Sequence, residues 1–330
     1  MKIGCSAARD NAATGRRRTS LRAVAAAVGA AMIEGPAVAC LCVAGAGMLG
    51  APLLEAADES NALALIPAPV KVELKAGLFE LTKQTVLVAN PGAEREADQL
   101  AAGLRAATGL ELRVRKRAAG RPAVRLELAP ALEARLGREG YQLSIASTGA
   151  VVRAASEAGL FYGGVTFRQL MPPEVFGAEE PPGQSARRWT APCAEIEDYP
   201  RFAWRGLLLD VGRHYMPIEF IKKLVDVLAM HKLNVFQLHL TDDQGWRVEI
   251  KKYPRLTQVG SMRKESPKRG APNQGDATPY GPYFYTQRQL RELVAYAQKR
   301  HVTILPEIEM PGHFRAALAA YPEFSCRGGP

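Results

Sequence analysis

From Arg201 onward the order of apolar and polar runs reads strand, helix, strand, long loop, helix, strand, and no other feature narrows the fold as much. Gly206 to Val211 is an apolar run that suits a buried parallel strand. Pro217 opens a helix where proline is tolerated, and Phe220, Ile221, Leu224, Val225 and Leu228 form its apolar stripe. Asn234 to Leu240 is the second strand, and a long Gly-, Pro- and charge-rich loop covers 258–285. Thr286 with Gln289 predicts a capping box for the next helix, whose inner face is Leu290, Leu293, Val294 and Ala297. "HVTILPEIEMPGHF" supplies the third strand. Strands alternating with helices imply a parallel α/β arrangement. A doubly wound sheet would place a glycine-rich phosphate loop after its first strand, and none follows here. The expected fold is therefore a (β/α)8 TIM barrel, represented by its first three β/α units and hence incomplete.

Residues 61–190 differ in character. Short β-prone runs ("VKVEL", "TVLVAN", "AVRLEL", "YQLSIASTGAVVRAAS") are mixed with two helical stretches, "AEREADQLAAGLRAATG" and "EAGLFYGGVTFRQLM". That mixture predicts an α+β domain preceding the barrel, joined to it by a Pro/Gly-rich linker over 172–192, with the barrel portion at 198–330. Residues 1–60 read as an export leader: Arg16, Arg17 and Arg18 precede small apolar residues, and 35–54 carries no charge. Ala37-Val38-Ala39 before Cys40 resembles a cleavage site or a weak lipobox, so membrane attachment through the leader or a lipidated Cys40 is one expectation for an exported protein. Beyond the leader only Cys193 and Cys326 remain, with no metal spacing. The net charge of +10 is compatible with nucleic-acid binding, but the Lys and Arg residues are scattered among acids without a long basic stripe or interleaved aromatics, which argues against it.

Polar groups gather after each barrel strand: Asp210 with Arg213 and His214, then Asp242 and Asp243, then Glu307, Glu309 and His313. That face carries the chemistry of such barrels. Carboxylates in differing environments, hydroxyl-binding donors and an aromatic face are what cleavage of a sugar needs, and Asp242, Asp243, His313, Arg205 and Trp246 supply those types. Singly, each has a structural explanation, such as loop capping by Asp242 or an Arg205–Asp210 pair. Their joint placement favours a site. A divalent ion on Glu307, Glu309, His313 and Asp242 is the rival reading, disfavoured on the expectation that the two glutamates cannot both reach one ion.

Four stretches, "RFAWRGLLLDVGRHYMP", "HKLNVFQLHLTDDQGWRVEIKKYPRLTQVGS", "FYTQRQLRELVAYAQKRHVTILPEIEMPGH" and "ALAAYPEFSC", resemble family 20 glycoside hydrolases, the β-N-acetylhexosaminidases. The resemblance implies exo-acting removal of terminal β-linked GlcNAc or GalNAc with retention. The sugar's acetamido group is the nucleophile, and no cofactor takes part. It implies that Arg205 binds sugar hydroxyls, that Asp242 pairs with His313 to support the catalytic acid, and that Asp243, Gln244 and Trp246 shape the surrounding loop. The family's acid and acetamido-stabilising pair lies in a His-x-Gly-Gly-Asp-Glu motif on the fourth strand. The sole Asp-Glu here, Asp58-Glu59, lacks that context. The chain as given is therefore expected to be an inactive fragment of such an enzyme. A non-catalytic exported sugar-binding or surface protein is the alternative.

Overall fold

The computed structural model describes residues 63–177, 187–268 and 271–327. The leader, Cys40 and the expectation of export lie outside the described residues.

The first region runs Lys71–Leu81 (β1), Val86–Ala89 (β2), Glu94–Thr108 (α1), Arg113–Arg115 (β3), Ala123–Leu128 (β4), the single turn Glu133–Leu136 (α2), Tyr141–Ala146 (β5), Gly149–Ala154 (β6), Glu157–Gln169 (α3) and Trp189–Asp198 (β7). These strands form one mixed sheet in the order β1-β7-β5-β6-β4-β2-β3. β2, β3, β4 and β6 run parallel, while β1, β7 and β5 pair antiparallel. The stripe Ala97, Leu100, Ala101 and Leu104 of α1 packs with Leu160 and Phe167 of α3 onto Leu126, Leu143, Val152 and Ile196 of the sheet. Gly109 ends α1 in the left-handed conformation, where the lack of a Cβ removes the steric penalty. α3 tolerates its glycines for a packing reason: a Cβ on Gly163 would lie 2.4 Å from Val152 Cγ1.

One boundary moves. The end of the expected linker is the start of β7, which sits between β1 and β5 and buries Trp189, Ala191 and Cys193 on alternate positions, then Ala194, Ile196 and Asp198 after a change of phase. Alanines, a proline and acids give "WTAPCAEIED" little β-propensity. Pairing on both sides makes it a strand.

The second region contains Gly206–Asp210 (β8), Ile218–Met230 (α4), Val235–His239 (β9), Thr241–Asp242 (β10), Gly245–Trp246 (β11), Arg255–Gln258 (α5), Pro267–Lys268 (β12), Ala271–Gly275 (β13), Gln287–Gln298 (α6), Thr303–Glu307 (β14) and Arg315–Ala320 (α7). The capping box forms as expected on Thr286 and Gln289. β14, β9 and β8 make a parallel sheet in that order. Phe236 and Leu238 pack with Ile221, Val225 and Leu228 of α4 and Leu293 and Ala297 of α6. Leu208, Gln237 and Leu305 share a register row on the opposite face, where both leucines are exposed.

The regions join through a buried polar knot below the parallel sheet. Lys232, just after α4, donates to Asp198 Oδ2 (2.8 Å) and to the Tyr141 hydroxyl (2.8 Å). The Tyr141 hydroxyl also lies 2.9 Å from Asp198 Oδ2 and 2.6 Å from Thr166 Oγ1.

Candidate functional site

The register of the parallel sheet sets Asp210, His239 and Glu307 side by side at the three strand C-termini. Directly after β9, the bridge between β10 and β11 pairs Thr241 with Trp246 and Asp242 with Gly245. This tight reversal turns Asp242 back onto the end of β9. Its carboxylate is almost fully buried, and Oδ2 meets His239 Nε2 at 2.8 Å, Arg213 at 2.8 Å and His313 Nδ1 at 3.3 Å. Oδ1 accepts the Asp243 N–H at 2.6 Å. Gly212 permits the approach, since a Cβ there would lie 3.0 Å from Asp242 Cβ.

His239 is the hub of the cluster. Its other ring nitrogen, Nδ1, lies 3.0 Å from Glu307 Oε1 and 4.0 Å from Glu309 Oε1. Burial alone would push the imidazole pKa down, but the hydrogen bonds to Glu307 and Asp242 outweigh it and hold the pKa above the usual histidine value. The same contact to His239, opposed by partial burial and helped by Gln237, holds Glu307 below the usual carboxylate value. Both shifts favour the charged forms of the His239–Glu307 pair.

Arg213 spans two acids, donating to Asp210 Oδ2 at 2.9 Å through one guanidinium nitrogen and meeting Asp242 through the other. Its side chain stays 41% exposed, and that of His313 stays 49% exposed. His313 has φ +52, a conformation L residues rarely adopt, and this turns its ring towards Asp242. The floor, Asp242 and His239, is buried, whereas Arg213 and His313 face solvent.

Arg205 does not join this cluster. It precedes β8, at the other end of the strand. Its guanidinium donates to the carbonyls of Lys232 (2.8 Å) and Phe202 (2.8 Å) and pairs with Glu139 at 2.8 Å. The physical reason is chain direction: a residue before a parallel strand sits at its N-terminal end, away from the site-bearing face. The arginine that the fold delivers to that face is Arg213. Trp246 is buried among the loops: its indole donates to the Val248 carbonyl (2.7 Å), and its ring meets Phe314 edge-on. Asp243 accepts the N–H of Arg315 at the start of α7 (3.1 Å). Gln244 has its carbonyl held by Arg263 (3.2 Å), while its side-chain oxygen is buried without a partner among the described residues.

Sequence reasoning missed two groups. His239 lies inside an apolar run, and its role needs the pairing of three strands. Arg247 is fully buried and donates to the carbonyls of Val211, Gly212, Ser261 and Tyr283, at 2.9 to 3.1 Å. It clamps the loop after β8 to two others, and burial pushes its pKa down to about 10, so it remains charged at neutral pH. An arginine inside the apolar alternation of "GWRVEI" was the available signal.

Two groups of side chains are close enough to hold a cation: His239 with Glu307 and Glu309, and Asp242 with Asp243 and His313. The expectation that Glu307 and Glu309 diverge is wrong. Residues two apart on an extended chain share a face, and both acids reach His239. Yet both His239 nitrogens already face carboxylates, and Asp242 already carries cationic partners. The donor sets are balanced by the protein's own charges.

A parallel β/α sheet whose carboxylates, imidazoles and arginine fork gather at the strand C-termini is an enzyme framework. The chain belongs to glycosyl hydrolase family 20: the family's catalytic-domain model matches residues 202–329, and its domain 2 model matches 62–199. A β-hexosaminidase of Porphyromonas gingivalis is 40% identical over 295 residues, covering 88% of this chain and 36% of that protein. A β-N-acetylhexosaminidase of Cellulomonas fimi is 37% identical, covering 81% and 50%. The Streptomyces plicatus N-acetyl-β-hexosaminidase in complex with Thio-NAglucal superposes with a TM-score of 0.67 at 38% identity, covering 80% of this chain and 49% of that one. The chain thus spans between about a third and a half of the length of these relatives.

Proposed function

We propose that this chain carries part of the sugar site of an exo-acting β-N-acetylhexosaminidase that releases terminal N-acetylhexosamine from glycans with retention. The observation that carries the reading is the Asp242-centred cluster, buried at its base and open at Arg213 and His313. The planar guanidinium of Arg213, held by two carboxylates, suits a vicinal diol on a sugar ring. Asp242 orients His313, and His313 is placed to hold a proton-transferring group of the reaction in turn. The three strands are read as the first three of a (β/α)8 barrel. Leu208 and Leu305 would then be interior residues, packed by strands beyond these three.

No His-x-Gly-Gly-Asp-Glu motif occurs in the 330 residues. The acid and the acetamido-stabilising carboxylate must come from elsewhere, and the chain alone hydrolyses nothing. Isotope-edited NMR of the 330-residue chain with millimolar N-acetylglucosamine tests the site. Resonances of the Arg213 guanidinium and the His313 ring should shift, and the His313 shift should vanish in Arg213→Ala. A sugar-induced shift at His313 that survives in Arg213→Ala overturns the arrangement. Hydrolysis of a chromogenic N-acetylglucosaminide by this chain overturns the assignment of the acid to a group outside it.

A further inference from the structure

Four of the scattered cations come together on the seven-stranded sheet, away from the parallel one. Lys83 in the turn before β2, Arg113 and Arg115 on β3, and Arg121 before β4 line a cleft of about 760 Å³ together with Gln84, Thr85 and Glu111. Four cations face one carboxylate. Glu111 is exposed and makes a loose 3.7 Å contact with Arg113. No side-chain partner holds Lys83, Arg115 or Arg121 among the described residues. Lys116 and Arg117, also exposed, follow on the adjoining loop.

The cleft is built by the fold. Arg113 and Arg115 pair in register with Val86 and Val88, while Val114 between them turns to the core under α1. Both arginines therefore project from the face opposite α1. The loop 116–121 folds over that face by burying Ala118 against Val86, Val88 and Ala123. Ala119 and Gly120, at φ +50 and +78, then reverse the chain and return Arg121 to the cleft. Because β2, β3 and β4 are parallel, the segments that precede them meet at one end of the sheet.

We propose that this cleft binds an oxyanion-bearing glycan, a chain carrying sulfate or uronate groups, and so anchors the polymer whose terminal sugar is removed elsewhere. The choice of a glycan rests on the hexosaminidase reading; the choice of a polyanion rests on the cleft. Guanidinium forks match sulfate and carboxylate bidentately. Single-stranded nucleic acid binding uses aromatic platforms for the bases, and no aromatic residue lines the cleft. Insertion into a membrane surface needs exposed apolar side chains. The large apolar lining residues here, Val86 and Leu110, are buried or half-buried.

Calorimetric titration of the 330-residue chain with a heparin-derived hexasaccharide tests this. The arms are its desulfated, N-acetylated counterpart, a hyaluronan hexasaccharide, duplex DNA of matched charge, and phosphatidylglycerol vesicles, all at one ionic strength. The sulfated oligosaccharide should bind, and the triple variant Arg113→Gln, Arg115→Gln, Arg121→Gln should weaken it by about tenfold or more while leaving the unfolding midpoint unchanged. Binding of hyaluronan would show that carboxylates suffice, and its absence would assign the site to sulfate. Unchanged affinity in the triple variant overturns the site. Tighter binding of DNA or of vesicles than of any glycan overturns the choice of ligand. Arg213→Ala should keep full affinity, so a failure of the sugar site and a failure of this cleft are read separately.

Discussion

The two ends of the parallel sheet carry similar side chains and put them to different use. At the N-terminal end, Arg205, Lys232, Asn234, Glu139, Asp198 and Tyr141 form a closed set of ion pairs and hydrogen bonds that ties the two regions together. At the C-terminal end, Asp210, Arg213, His239, Asp242, Glu307 and His313 form a set that is buried below and open above. An arginine between carboxylates is therefore no sign of a site by itself. The sign is that some of the paired groups keep donors facing solvent. Arg205 has spent its donors on carbonyls and a glutamate, whereas Arg213 has a buried, paired base and an exposed edge.

Lys232→Met should break the closed end most severely. It leaves Asp198 buried without a cation, with an expected loss of about 3–5 kcal/mol in denaturant unfolding. Burial pushes the Lys232 ammonium pKa down, and the adjacent Asp198 carboxylate opposes that shift. Arg205→Ala should cost about 2 kcal/mol, since Glu139 and two carbonyls lose their partner, yet it should leave the sugar-induced shift at His313 intact. Arg213→Ala should do the reverse: a stability change within about 1 kcal/mol, because its side chain is part-exposed, and loss of the sugar response. If Arg205→Ala abolishes the sugar response, the division between the two ends fails.

The open end also has a pH signature. His239 has a raised folded-state pKa, so its contribution is fully present below the unfolded value of 6.5 and is lost as pH rises through the folded value. Glu307 has a lowered one, so its contribution is fully present above 4.5 and is lost as pH falls through the folded value. The pair is at full strength between those two unfolded values. Unfolding measured across pH should show stability falling on the alkaline side, and His239→Gln should flatten that limb. A limb unchanged in His239→Gln would place the titration on another group.

Much of the architecture was readable in advance. Most of the α4 and α6 stripes and the Thr286–Gln289 box follow from local chemistry, which needs no distant partner, although Phe220 and Val294, expected on the inner faces, are exposed. β7 was not readable, because its residues have weak propensity and its strand character comes from β1 and β5 on either side. The expectation that Arg205 stands with the acids at the strand C-termini fails for a simpler reason. Arg205 and Arg213 flank the same strand, and only chain direction separates the closed end from the open one.

The sequence by itself determined the alternation of strands and helices and the family, because each rests on short-range periodicity or on long contiguous motifs; the Asp242–His313 contact was implied by the family resemblance and takes shape only in the fold. Tertiary structure alone decided which charges are shared. His239 becomes a bridge only when strands tens of residues apart fall into one register row. Arg247 becomes a clamp only when three loops bring it four carbonyls. The cations of the far sheet become a cleft only when parallel strands gather their preceding turns at one end. Electrostatic pairing depends on distance in space, and a linear sequence does not carry that distance.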